Sequence, residues 1–264
     1  MTSDRVETSL VAESLTIAVP VKRYRCEEVS GDMSSHVGAL EEALEEVLVE
    51  YHLTIHVNGH RLIRLPCLPA YLEELAVGYL VTEGVVASWD EIDALRVDRE
   101  TGRVDVQVKG KMGADKISTD RMDVAEAEAA TEAATNTCEM ILENANRLLV
   151  HSKLFRKTGN VHSVMLCRGK ERLCFMEDME RFCAFDKCVG YAAMRGWMLK
   201  DTCMYTTGRM PSTLVIKAVR AGIPMLISRS APTDKALELA ARYGVTVVGF
   251  ARGERMNIYN MGYR

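Results

Sequence analysis

The chain has 264 residues, 48% of them hydrophobic and 27% charged, enough apolar material to bury a full core as one large domain or two smaller ones. A formal net charge of −4 and a pI near 5.9 speak against the basic face that nucleic-acid binders carry. The opening MTSDRVETSL lacks the basic-then-apolar order of a secretory signal, and no apolar run reaches the ~18 residues that span a bilayer. A cytoplasmic protein with neither a nucleic-acid nor a membrane partner is expected, its eight cysteines free thiols that mostly serve as small core hydrophobes.

In chain order, residues 1–14 are polar and unpatterned, and residues 15–24 (LTIAVPVKRY) predict a first strand, placed at an edge by Pro20. The acidic run at 41–50 (EEALEEVLVE) fits either a short helix or the approach to a strand. Residues 52–57 and 60–65 flank Asn58-Gly59, a type I′ hairpin signal. His52 and His56 share a strand face there while His60 points the other way, so the three are read as exposed strand histidines rather than a metal face. From Pro69 a packing helix uses Tyr71, Leu72, Leu75, Ala76, Tyr79 and Leu80 and stops at Gly84. A second hairpin, 92–97 and 104–108, turns at Thr101-Gly102. Residues 109–136 then change character, and DVAEAEAATEAAT reads as an exposed helix, a lid or a disordered piece. A helix follows over 138–155.

From Val161 the order is strand, strand, helix (to about 199), strand (203–206), helix (211–221), strand (223–228), helix (233–243), strand (245–250). This predicts an α/β domain, 109–264, with a mixed, largely parallel sheet and flanking helices, preceded by a smaller β-rich α+β part, 1–108. Right-handed crossovers bring the joints at 176–181, 206–211 and 228–234 and the stretch 250–255 to one crevice. Helix N-termini there offer free N–H groups. Thr206, Thr207, Ser228, Ser230 and Thr233 add hydroxyls, and Arg209, Lys217, Arg229, Arg252 and Arg255 add charge. A phosphate-bearing ligand fits such a crevice; equally, the hydroxyls and Pro211 and Pro232 fit ordinary helix starts.

Neither G-x-G-x-x-G nor G-x-x-x-x-G-K-[ST] is present, nor the H-x-E and P-C-x-x-C of zinc deaminases, nor any C-x-x-C. Cys183 and Cys188 stand about 140° apart on a helix and cannot share a metal unaided. No zinc is expected. Cys167 and Cys174 read as a core pair across a hairpin.

Taken together, VNGHRLIRLPCLP, LEELAVGYLVTEGVV, FRKTGNVHS, EDMERFCAFDKCVG, TTGRMPSTLVIKA, GIPMLISRSAPTDKALELA and VTVVGFARGERMNIY resemble the formate dehydrogenase accessory proteins, the FdhD sulfur carriers, over roughly residues 15–264. The resemblance implies a cytidine deaminase-like fold after about residue 109. It also implies transfer of sulfur, as a cysteine persulfide, from a cysteine desulfurase to the molybdenum cofactor, a bis-molybdopterin guanine dinucleotide, before that cofactor enters formate dehydrogenase. A homodimer is compatible with it. Cofactor contacts fall by resemblance on Phe250, Ala251, Arg252, Gly253, Glu254 and Arg255; the crevice reading adds Thr158, Gly159, His162, Asp178, Arg181, Asp186, Lys187, Gly208, Arg209, Lys217, Ser228, Ser230 and Thr233.

Two departures stand out. The family's C-x-x-C would follow Ser118-Thr119, where this chain has none, so the carrier role is assigned to the next thiol, Cys138, at a helix start whose dipole favours a thiolate; equally, Cys138 fits an ordinary helix-terminal cysteine. The family's Glu-Asp-Val-Gly-Arg-His-Asn becomes Glu177, Asp178, Met179, Glu180, Arg181, Phe182 and Cys183, so no role of the His-Asn pair carries over. The alternative reading is an escort that binds the cofactor or a guanine nucleotide without transferring sulfur.

Overall fold

Turn chemistry and cross-strand pairing shape the first half of the chain. The computed structural model describes residues 6–7, 14–27, 37–109 and 137–260. After β1 (Val6–Glu7), β2 (Thr16–Glu27) and β3 (Val37–Leu48) pair antiparallel as a two-stranded ribbon of their own. The acidic run 41–50 thus resolves mainly as strand. Glu45 accepts from Arg23 at 2.6 Å and Glu41 meets Arg25 at 2.9 Å, cross-strand pairs that a helix would not make. Pro20 is tolerated because a two-stranded ribbon consists of edges.

β4 (Tyr51–Val57) and β5 (His60–Cys67) form the expected hairpin, with φ of 49° at Asn58 and 84° at Gly59, both positive as a type I′ turn requires. His60 pairs with Val57. Next come α1 (Leu72–Thr82), β6 (Ile92–Asp98) and β7 (Arg103–Val108). The five-stranded sheet runs β1-β6-β7-β4-β5. Every residue of α1 except Glu74 is buried, because the helix lies against the body of the second half as well as its own sheet.

The second half opens with α2 (Cys138–His151) and α3 (Lys153–Thr158). The single helix expected over 138–155 is broken at Ser152, whose hydroxyl caps α3 by accepting from the Phe155 N–H at 3.3 Å and also bonds Glu177. Then follow β8 (His162–Arg168), β9 (Glu171–Asp178), α4 (Arg181–Ala193), β10 (Cys203–Thr206), α5 (Ser212–Ala221), β11 (Met225–Ser228), α6 (Asp234–Arg242), β12 (Thr246–Arg252) and β13 (Arg255–Asn260). α4 stops short of residue 199 because the chain turns at Gly196, φ 67°. β13 escapes the sequence reading: its pairing with β12 shifts register twice, and those bulges hide the two-residue period.

The six-stranded sheet runs β13-β12-β11-β10-β8-β9, parallel within β10-β11-β12 and antiparallel at both margins. α2 covers one face through Ile141, Ala145 and Leu148 on Met165, Tyr205, Ile227 and Val248. α4 and α5 lie on the other. There a single core continues from Leu53 and Ile55 in the first sheet to Val164, Leu226 and Val247 in the second, by way of α1 and α4. The expected helix or lid at 109–136 lies, from residue 110, outside the described residues.

Candidate functional site

Strands β10, β11 and β12 are parallel, so their carboxyl ends share one sheet edge and the loops after them must meet there. Backbone bonds lock these loops into one rim. Arg229 N–H donates to Thr206 O, Met210 N–H to Ala231 O, Thr233 N–H to Met210 O, and Phe250 N–H to Ser230 O. The hydroxyls expected to face a ligand are largely committed inward. Thr206 Oγ1 accepts from Gly208 N–H, and Ser228 Oγ donates to Gly208 O at 2.6 Å while accepting from Ser230 N–H. Thr207 holds Ser163, and Thr233 caps α6. For Thr206, Ser228 and Thr233 the structural role is the one observed.

The charged lip is the β12–β13 turn. Arg252, Gly253, Glu254 and Arg255 line an open cleft of about 730 Å³ with Arg229. Phe250 sits at φ 53°, an uncommon conformation for an aromatic residue, and the Arg252 guanidinium stands 5.9 Å from its ring. Ala251 is buried in the α2 core. Asn146 of α2 clamps the turn from below: its amide donates to Gly253 O at 2.8 Å and accepts from Gly253 N–H at 2.9 Å. Arg229 donates to Ala145 O at 3.1 Å; burial, then the nearby Arg252 charge, pushes its pKa down. Among the described residues no carboxylate pairs with Arg229, Arg252 or Arg255, so the cleft is electropositive and suited to phosphate oxygens. Asn146 went unnoticed in the sequence because its partner lies 107 residues away.

A second cluster flanks this rim. Gly208 sits so tightly that a Cβ there would stand 3.2 Å from Arg181 Cβ and 3.5 Å from His162 Nδ1. Arg209 is exposed beside it, and Arg181 Nε is buried without a hydrogen-bond partner. Burial, then the charges of Arg181 and Arg209, lowers the His162 pKa against the opposing pull of Glu180 and Asp178. The unfolded chain therefore binds a proton here more readily than the folded one. Stability contributed by neutral His162 is present above the ordinary histidine value of about 6.5 and is lost as pH falls through the lower folded value. Denaturation midpoints are expected to fall on acidification through that window, and less steeply in His162→Gln.

Four expected ligand residues are instead internal. Asp178 and Lys187 are fully buried, with Lys187 Nζ 2.6 Å from Asp178 Oδ2 and donating to Leu68 O at 3.2 Å, while Asp178 accepts from the N–H groups of Leu68 and Glu180. Asp186 and Lys217 pair at 2.9 Å beside Thr82 and Glu83. Burial pushes the Asp186 carboxyl up; burial also works against the Lys217 charge, but Asp186 and Glu83 outweigh it and hold that ammonium protonated. These pairs join α1, α4 and α5 and the β5–α1 turn to β9, and they do not face the crevice. Thr158 and Gly159 likewise end α3: Gly159, φ 65°, donates to Phe155 O at 2.7 Å, and Thr158 Oγ1 to Leu154 O.

Cys138 is the first residue of α2 and is exposed, in contrast to six buried cysteines, Cys67, Cys167, Cys174, Cys183, Cys188 and Cys203. The N-cap is Thr137, whose side chain accepts from Met140 N–H. In the interior, burial pushes Cys67 and Cys167 up to about 12 and Cys183 and Cys188 well up also. The β8–β9 bulge sets Cys174 opposite Leu166, and Cys167 pairs across to Cys203 instead.

A sequence profile of the FdhD/NarQ family matches residues 48–264. The chain belongs to the FdhD/NarQ family. Relatives named sulfur carrier protein FdhD include that of Methanothermobacter thermautotrophicus, 34% identical over 82% of this chain and 90% of the relative, and that of Listeria monocytogenes serotype 4b, 31% identical over 84% and 92%. A solved formate dehydrogenase accessory protein of Desulfotalea psychrophila superposes with a TM-score of 0.72 at 26% identity, covering 94% of this chain and 97% of that one. The mixed α/β fold is thus that of an FdhD protein. Where this FdhD/NarQ chain departs from the family motif, Cys183 is 3% exposed with Sγ 3.5 Å from Pro66 O, and Phe182 lies under the Arg181 guanidinium, 5.0 Å from ring centre to Cζ. Cys183 is thus closed to solvent, while Phe182 is half-buried. Among the described residues no helix is long and apolar enough to cross a membrane.

Proposed function

We propose that this FdhD/NarQ member serves formate dehydrogenase maturation by carrying sulfur on Cys138 from a cysteine desulfurase to the molybdenum cofactor, bis-molybdopterin guanine dinucleotide. The observation that carries the reading is that Cys138 is open to solvent whereas Cys67, Cys167, Cys174, Cys183, Cys188 and Cys203 are buried, since a persulfide donor can reach only an accessible thiolate. In the loading step the Cys138 thiolate attacks the outer sulfur of the donor persulfide. A new S–S bond forms, the old one breaks, and the donor leaves as its thiolate. Delivery regenerates the Cys138 thiolate, and the two electrons that convert the carried sulfur to sulfide come from the reduced metal centre of the cargo. Arg229, Arg252 and Arg255 suit the cargo's phosphates, with Asn146 holding the turn that presents two of them. Incubation with a desulfurase and cysteine, followed by intact mass measurement, is expected to add one sulfur atom at Cys138 and none in Cys138→Ser. Loading on another residue, or full support of formate dehydrogenase by Cys138→Ser, would refute the assignment. The escort reading then predicts retained cofactor binding without loading.

A further inference from the structure

Strand β9 is an edge of the larger sheet. β8 pairs with one side of it, and among the described residues no strand pairs with the other. Five consecutive residues, Arg172 to Met176, line a groove of about 500 Å³. Successive strand residues point to opposite faces, so a groove touched by all five runs along the open edge rather than on either face. Its walls come from both layers: Tyr71 and Tyr191 on the α1/α4 side, His151 and Lys153 on the α2/α3 side.

An open edge offers a row of backbone donors and acceptors, and side-chain walls on both faces are what a peptide adding as a strand engages. The charge of the groove selects the peptide. Lys153 and Arg172 line it, no carboxylate does, and the Arg195 guanidinium lies over the Tyr191 ring at 3.3 Å. Burial, then the charges of Arg172 and Arg147, lowers the His151 pKa. A second copy of the chain is a poor occupant: it would bring the same cations together, and a two-fold register centred on Cys174 would set Glu171 against Glu177.

We propose that the β9 edge docks an extended acidic segment of a partner protein, which adds as a seventh strand with its carboxylates at Lys153 and Arg172. This surface is separate from the Arg229–Arg255 cleft, and the proposal stands apart from the sulfur-carrier reading. The test is a fluorescent peptide alternating glutamate with valine, titrated with the full chain. Saturable binding is expected that weakens with salt and falls about tenfold in Arg172→Glu and in Lys153→Glu. Both side chains are exposed, so these variants should keep their fold. Peptide binding should slow hydrogen exchange at residues 171–178, and backbone N-methylation of the peptide should abolish binding. Absence of binding, equal binding of the N-methylated peptide, indifference to both charge reversals, or a dimer in sedimentation that Arg172→Glu dissolves would each overturn the proposal.

Discussion

Gly78→Ala is expected to destabilise the protein by about 3 kcal/mol or more, because the new methyl group has nowhere to go. A Cβ on Gly78 would stand 1.8 Å from the Asp186 carbonyl oxygen and 2.8 Å from the Gly190 nitrogen, and one on Gly190 would stand 1.9 Å from the Glu74 oxygen. All these atoms are backbone, so no rotamer change relieves the clash; α1 and α4 must separate. That crossing joins the two sheets through one core, so the loss should appear as a lower urea midpoint for the whole transition. Gly159→Ala is the control. Nothing lies within 4 Å of its Cβ, and only the positive φ resists, at a cost of about 1–2 kcal/mol.

Lys187→Met is expected to cost about 3–5 kcal/mol, the penalty for leaving a buried charge without its partner. Asp178 would keep the N–H groups of Leu68 and Glu180 but lose the ammonium 2.6 Å away in a site with no solvent exposure. Pairing the change with Asp178→Asn should recover much of the loss, because the amide oxygen can still accept one of those bonds and the stranded charge is gone. Equilibrium denaturation of the two single variants and the double variant gives the coupling directly. Equal midpoints for Lys187→Met and the unaltered chain would show that the ion pair contributes nothing to stability.

Much of the architecture was legible from local chemistry. Asn58-Gly59 fixed a hairpin, and the strand–helix alternation after Val161 located β10 to the residue and brought three loops to one edge, because topology follows from period and crossover hand. Two kinds of feature were not legible. Asp178 ends β9 while Asp186, Lys187 and Lys217 lie inside α4 and α5, and a sequence does not distinguish an outward charge from one whose partner arrives from a distant element; Lys217 and Thr82 are 135 positions apart. The second strand of the ribbon and β13 were obscured for a different reason. In the first, an acidic run suited to a helix is held as strand by a basic neighbour; in the second, bulges interrupt the alternation.

The seclusion of Cys67, Cys167, Cys174, Cys183, Cys188 and Cys203 bears on how a sulfur carrier keeps its cargo. A persulfide is itself an electrophile, and any thiolate that reaches it can steal the outer sulfur or close a disulfide. Interior cysteines that stay protonated and packed, such as Cys67 and Cys167, are poor thieves. Sulfur placed on an exposed Cys138 would thus be guarded by the apolar interior from these six buried thiols of its own chain.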